Sequence, residues 1–366
     1  MQKNSKFNGY QLVIFMIYSI LGVGLLHLPS ALTDKVGNEA YLVIIVECII
    51  ALVVLFLICL AGSVYNNDGL VGTSKRIYGK TIGILLVLPL LIYLFIVNII
   101  EIRIFSITIK MFLLEKTPEN AIIIPIFLLI MLLIRGEFRH ISRFGEFVIP
   151  FLLILVVVIS MLTIPGADFS ELLPVFQREP GEYLKAIQTG IFTIMGTVNL
   201  LVAIPYFKNT STKKAFKTAA MGIIITISLY MLITILCIAK LGTSETKWLI
   251  YPTISLIKSA YIPGGFIERL EGLLMSSWVV VVFITISISI YIMAILVSDI
   301  FKFKHTKLVV TIIIPIIYAS YKVLGSIVEA TNLAKITDIT IGIYSMVVLP
   351  ILIYVGHRVK SRRGGI

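Results

Sequence analysis

Apolar runs of about twenty residues follow one another along this chain from residue 10 to residue 356, and a run of that length crosses the hydrocarbon of a bilayer as a helix. Read as spans they fall near 10–32, 41–64, 82–114, 119–135, 147–165, 184–206, 216–239, 266–300, 307–321 and 339–356, ten in all. The fourth and ninth have the shortest purely apolar stretches, and the third and eighth are long enough to tilt or project. With 58% hydrophobic and 14% charged residues, and a mean hydropathy of +1.04, the chain cannot be a soluble globule with an ordinary surface. Because lipid offers the backbone no hydrogen bonds, the expectation is an all-α polytopic membrane protein. It forms a single transmembrane domain over residues 1–366, with a basic tail at 357–366.

The first span is interrupted by Gly22-Val23-Gly24, within Ser19-Ile20-Leu21-Gly22-Val23-Gly24-Leu25-Leu26-His27-Leu28-Pro29. Two glycines this close weaken a helix and free backbone amides and carbonyls at membrane depth, where they need partners. Five spans later, Ile191-Phe192-Thr193-Ile194-Met195-Gly196-Thr197-Val198-Asn199-Leu200 again places a glycine and polar residues at mid-span. A single glycine serves close helix packing. Breaks at matching positions of two oppositely oriented five-helix halves, about 10–165 and about 184–356, instead predict an inverted repeat with a ligand site between broken helices 1 and 6.

The formal net charge of +12 follows the loops. With the N-terminus inside, 19 of the 31 Lys and Arg residues fall in cytoplasmic segments, among them Lys3, Lys6, Lys75, Arg76, Arg139, Lys208, Lys302, Lys360 and Arg363. The outer loop Asp168–Glu182 is acidic. This asymmetry is orientation, with both termini cytoplasmic, and it removes nucleic acid as a partner. Cys48, Cys59 and Cys237 lie within spans and form no disulfide or metal pattern. The first apolar run is longer than a signal-peptide core and lacks a small-x-small site before Asp34.

Ionisable residues inside the spans are costly and mark pathways or partners. Glu47 falls in span 2, where a structural role is favoured, and Glu101 and Arg103 fall in span 3. Two residues apart, Glu101 and Arg103 point to different faces and are not expected to pair. Tyr93, Val97 and Glu101 form one stripe, flanked by Asn98, which is taken to face the breaks. Two roles stay open for Glu101: bonding to freed backbone, or contacting a ligand or cation. For Arg103, snorkelling or an ion pair is favoured. Span 8 opens with Phe266-Ile267-Glu268-Arg269-Leu270-Glu271, read as an interfacial first turn, and continues with the stripe Trp278, Thr285, Ser289. Such hydroxyls either bind a cation or bond the preceding turn. Tyr251-Pro252-Thr253-Ile254-Ser255, between spans 7 and 8, suits a lid or a partner surface. His27, His140, His305 and His357 are scattered, without a nucleophile, zinc or phosphate motif, so no enzyme, cofactor or metal is expected.

These residues resemble the B subunit of spore germinant receptors, grouped with the amino acid/polyamine/organocation transporter superfamily. The resemblance is carried by Gly22-Val23-Gly24-Leu25-Leu26 with Leu28-Pro29, by Glu101-x-Arg103, and by the exit Phe112-Leu113-Leu114-Glu115-Lys116-Thr117-Pro118. Tyr251-Pro252-Thr253-Ile254-Ser255-Leu256 and the Phe266–Glu271 segment followed by Trp278 complete it. It implies a multi-pass protein of the spore inner membrane, with a membrane A subunit and a lipoprotein C subunit as partners. It also implies binding of a small germinant, usually an amino acid, that triggers germination.

The family's pocket maps onto Gly22, Val23 and Gly24, onto Tyr93, Val97 and Glu101, and onto Met195, Gly196 and Thr285. Asn98, at the flank of the stripe, and Phe192, as a pocket wall, complete the candidate ligand-binding set. Asn199 has no assigned role. In physical terms, a zwitterion would place its carboxylate on amides at a half-helix N-terminus and its ammonium on carbonyls or Glu101. The alternative function is a stand-alone amino acid permease coupled to H+ or Na+, which rests on fold logic alone.

Overall fold

The computed structural model describes residues 8–65, 68–207, 211–260 and 270–362. The segment Phe266-Ile267-Glu268-Arg269 and the basic residues Lys3, Lys6, Lys208 and Arg363 lie outside the described residues. Among the described residues every regular element is helical. Asn8 starts the first helix by accepting from Gln11 N at 2.9 Å while Gln11 Oε1 accepts from Asn8 N at 3.2 Å. Helix α1 (Gly9–Leu21) ends at the first glycine, and α2 (Gly24–Val36) begins at the second. A single turn at Gly37–Glu39 leads into α3 (Ala40–Ser63).

An amphipathic helix α4 (Gly69–Tyr78) precedes the long α5 (Lys80–Phe112), which is followed by α6 (Glu119–Ile134) and α7 (Glu137–Thr163). The second half begins with α8 (Pro180–Gly190), two 3₁₀ turns at Ile191–Thr193 and Met195–Val198, and α9 (Asn199–Ala203). Helix α10 (Thr212–Trp248) kinks at Gly242, whose φ of 76° a glycine accepts without strain. A short α11 (Pro252–Lys258) precedes α12 (Leu270–Phe301) and α13 (Thr306–Ser320). The chain closes with α14 (Ile327–Thr337), π-helical turns at Asp338–Gly342 and Tyr344–Val348, and α15 (Leu349–Arg362).

Among the described residues, seven helical stretches are long and apolar enough to cross a membrane, and eight if the pair Pro180–Thr193 and Met195–Tyr206, bent by 51°, counts as one span. Gly9–Leu21 and Glu119–Ile134 are apolar but shorter. The expected ten runs map onto fewer qualifying stretches for a physical reason. The glycines split the first run, and its second half continues through a single turn into α3 as a 40-residue helical stretch, Gly24–Ser63.

Burial separates core helices from lipid-facing ones. In α12, 83% of the apolar window is buried and in α10 61%, against 33% in α5 and α7. Trp278 and Val281 of α12 are fully enclosed, and Trp278 stacks obliquely on Phe105 at 5.7 Å. Helix α1 packs between α10 and α12. The exposed Phe147, Phe151, Ile154 and Met161 stripe of α7 suits hydrocarbon instead.

Two expected boundaries are corrected. Helix α7 starts at Glu137 rather than 147, because Arg139, His140 and Arg143 depress hydropathy without breaking the helix. The last span does not start at 339: it belongs to a continuous helical stretch from Ile327 to Arg362. Its first turns carry Glu329, Asn332, Lys335 and Asp338, which read as loop. Three of these four, Asn332, Lys335 and Asp338, line the cavity of the candidate site.

Candidate functional site

Chain geometry at the first break follows from the two glycines. The backbone leaves α1 at Gly22 (φ −4°, ψ −133°), and Tyr230 OH and Thr285 Oγ1 donate to the freed carbonyls of Ile20 (2.8 Å) and Tyr18 (2.7 Å). Thr285 also donates to Val281 O within its own helix at 3.1 Å. A Cβ on Gly22 would stand 3.3 Å from Glu101 Oε1 and 3.4 Å from Thr285 Cγ2, and one on Gly24 would stand 2.9 Å from Tyr230 OH. The two broken regions touch directly: Gly196 lies against the carbonyl of Ser19, and a side chain there would overlap it.

These elements enclose a cavity of about 510 Å³. Its wall includes ten of the eleven candidate residues: Gly22, Val23, Gly24, Tyr93, Val97, Glu101, Phe192, Met195, Gly196 and Thr285. Asn98 is fully buried behind the wall, where its Nδ2 donates to Leu94 O at 2.7 Å and Ser289 Oγ at 2.8 Å. A four-residue stripe leaves its flank undetermined, and here the flank turns toward α12. The cavity widens toward exposed residues, Asp34, Lys247, Trp248 and Val328 among them, at its mouth.

Sequence reasoning missed Asp338 and underweighted Asn199. Asp338 is 3% exposed, lines the cavity, and accepts from Tyr93 OH at 3.0 Å. Gly342, one turn on, leaves room for Met195 and Tyr93, which would meet a Cβ at 3.0 and 3.1 Å. The signal is its position directly before the apolar run that begins at 339, one residue outside the expected span. Asn199 and Ser19 also line the cavity, and Asn199 Oδ1 and Ser19 Oγ are buried without a partner among the described residues.

Glu47 sits outside the cavity wall. It is fully buried, and Oε2 accepts from Thr193 at 3.4 Å while Oε1 lies against Gly190 at the end of α8. Arg103 does not pair with Glu101. It bonds Glu119 Oε1 at 2.6 Å and Gly325 O at 2.7 Å.

The Tyr251–Ser255 segment is packed into the fold. Tyr251, Pro252, Thr253 and Ile254 are buried, Thr253 Oγ1 donates to Leu25 O at 2.9 Å, and Tyr251 OH shares a hydrogen bond with Thr108 Oγ1 at 2.6 Å. His27 Nδ1 meets Ile250 O at 3.2 Å on the same side. Cys48, Cys59 and Cys237 are unpaired.

A family model described as "Spore germination protein" matches residues 6–351. Spore germination protein A2 of Bacillus subtilis (strain 168) is 30% identical over 281 residues, 76% of each chain. Spore germination protein YndE of the same organism is 25% identical over 362 residues, 98% of each chain. Among solved structures, Mhp1, a nucleobase-cation-symport-1 family transporter in a closed conformation with bromovinylhydantoin bound, superposes with a TM-score of 0.67. That match is 14% identical and covers 91% of this chain and 77% of the other, a likeness of fold.

Proposed function

Because this chain belongs to the spore germination protein family, we propose that it is the nutrient-sensing membrane subunit of a spore germinant receptor, binding a small germinant, an amino acid, at the breaks of helices 1 and 6. In this reading the chain crosses the spore inner membrane ten times as two inverted five-helix repeats, with both termini in the cytoplasm. An A subunit in the membrane and a lipid-anchored C subunit receive its signal. The observation that carries the binding step is the convergence of ten candidate residues on one cavity between two helix breaks.

Chemically, the start of α2 at Gly24 supplies amide donors and the positive end of a helix dipole for a carboxylate. Glu101 and the C-terminal end of α1 attract the ammonium, and Val97, Phe192 and Met195 enclose the side chain. The ligand acts by favouring one packing of the broken helices over another, so its effect equals its difference in affinity for the two states. A binding protein of this kind has no reaction to catalyse. A stand-alone permease rests on fold likeness alone and is not favoured.

The test is to delete the gene in its sporulating host, add single amino acids and sugars, and follow spore refractility, complementing with wild type and with Gly22→Val. The expected result is loss of response to a defined nutrient, restored by wild type alone. Unchanged germination in a strain lacking other nutrient receptors would refute the sensor reading.

A further inference from the structure

We propose that Asp338 and Glu101 form an acidic subsite of this cavity that selects ligands carrying a second cationic group, an ammonium or guanidinium, such as a basic amino acid. The inference rests on the germinant-binding reading above and names its ligand class. Both carboxyl groups line the cavity, and among the described residues neither makes an ion pair. Of the three lysines in the lining, Lys35 and Lys247 stand at the mouth, held by Asp34 at 2.6 and 3.6 Å, and Lys335 is exposed and makes no ion pair with Asp338 or Glu101. A carboxylate withdrawn from water without a cation is unfavourable, and an incoming cation relieves that penalty.

The unpartnered polar atoms of the same wall point the same way. Glu101 Oε2, Asn199 Oδ1 and Ser19 Oγ are buried with no hydrogen-bond partner among the described residues, and Asn199 and Ser19 are 4% and 5% exposed. All three can accept a hydrogen bond, so the cavity matches a donor-rich ligand. A purely aliphatic side chain would leave these atoms unpaired, which is the arrangement that discriminates most strongly between ligands. Tyr93 leaves Asp338 a second oxygen for a ligand, because its hydroxyl engages Oδ1 alone. The π-helical turn at Asp338–Gly342 starts at this carboxyl, and such turns concentrate at functional sites. An α-amino acid has one ammonium, which Glu101 and the end of α1 satisfy. Asp338 then remains for a second cation.

The experiment uses the purified full chain in lipid nanodiscs and calorimetric binding of L-lysine, L-arginine and L-norleucine, the last having lysine's four-carbon side chain without the amine. L-lysine or L-arginine should bind at least about tenfold tighter than L-norleucine, as expected for a hydrogen-bonded charge. Asp338→Asn should compress that ratio to less than about threefold, and Asp338→Glu should restore it. Equal or tighter binding of L-norleucine by the wild type overturns the proposal without any variant, and leaves the germinant-binding reading standing where Gly22→Val abolishes that binding. An undiminished basic preference in folded Asp338→Asn also overturns it. Failure of L-lysine and L-arginine to bind overturns the proposal, while the germinant-binding reading stands or falls on the deletion assay above.

Discussion

Tyr93 on α5 donates its hydroxyl to Asp338 Oδ1 at 3.0 Å, joining in the cavity wall two helices whose residues are 245 apart in sequence. Tyr93 is 2% exposed, so this bond is shielded from water and its removal leaves a buried carboxyl oxygen unpaired. Tyr93→Phe is expected to lower stability by about 1–3 kcal/mol. A thermal melt in detergent measures this, and an unchanged midpoint would show that the bond contributes nothing.

The glycines around the breaks should differ in tolerance according to what their missing side chains would meet. Gly196→Ala drives a methyl into Ser19 O, which is backbone and cannot move aside, so this variant should lose ligand response and much of its folded yield. Gly22→Ala meets only side-chain atoms at 3.3 and 3.4 Å, and should fold while weakening response by roughly tenfold, about 1.4 kcal/mol. Dose–response curves of spore refractility for the two variants, beside their expression levels, decide the order.

Arg103 is a fastener at one end of the bundle and not a ligand contact. It ties α5 to Glu119 of α6 and to Gly325 ahead of α14, with side-chain exposures of 12% for Arg103 and 27% for Glu119. Arg103→Ala should cost about 1–3 kcal/mol in a detergent melt. Ligand affinity should stay within a factor of about two, and a larger change would place Arg103 in the binding path.

The short helix α11 packs on α2, the second half of the first broken helix, through the bond from Thr253 to Leu25 O, and Tyr251 just before it bonds Thr108 of α5. Thr253→Val keeps the shape and deletes the bond to Leu25 O, a net loss of about 1 kcal/mol. Ligand exchange measured by stopped-flow fluorescence should quicken by roughly fivefold if α11 controls entry. An unchanged off-rate would make α11 structural only.

Orientation can be read by cysteine labelling. In a background with Cys48, Cys59 and Cys237 replaced by Ala, Glu171→Cys lies on the acidic loop and Ser361→Cys near the end of α15. An impermeant maleimide should label the first in intact cells and the second only after permeabilisation. The reverse pattern would invert the topology.

Both breaks were legible in the sequence because a glycine at mid-span in a membrane helix is a local signal. The separation of Glu101 from Arg103 was legible too, since helical geometry alone puts them on different faces. What escaped was the first part of the last helical stretch, Ile327 to Asp338. Hydropathy scores a residue by its preference for lipid, and Asn332, Lys335 and Asp338 are polar residues that line the cavity, so a true helical segment scored as loop. Asn98 escaped for a different reason: a stripe identifies a face but not which neighbour meets its edge, and Ser289 on α12 decided that.

The anchoring of α1 by Thr285 and Tyr230 has a consequence for silence. A receptor for nutrients in a dormant cell is limited less by its sensitivity than by how often it fires with nothing bound. Those two hydroxyls hold the carbonyls of Tyr18 and Ile20, so α1 cannot swing from the bundle without releasing both bonds. At about 1 kcal/mol net for each, together they make unprompted excursions roughly thirtyfold rarer. In the receptor proposed above, these two hydroxyls would keep a false alarm from sounding.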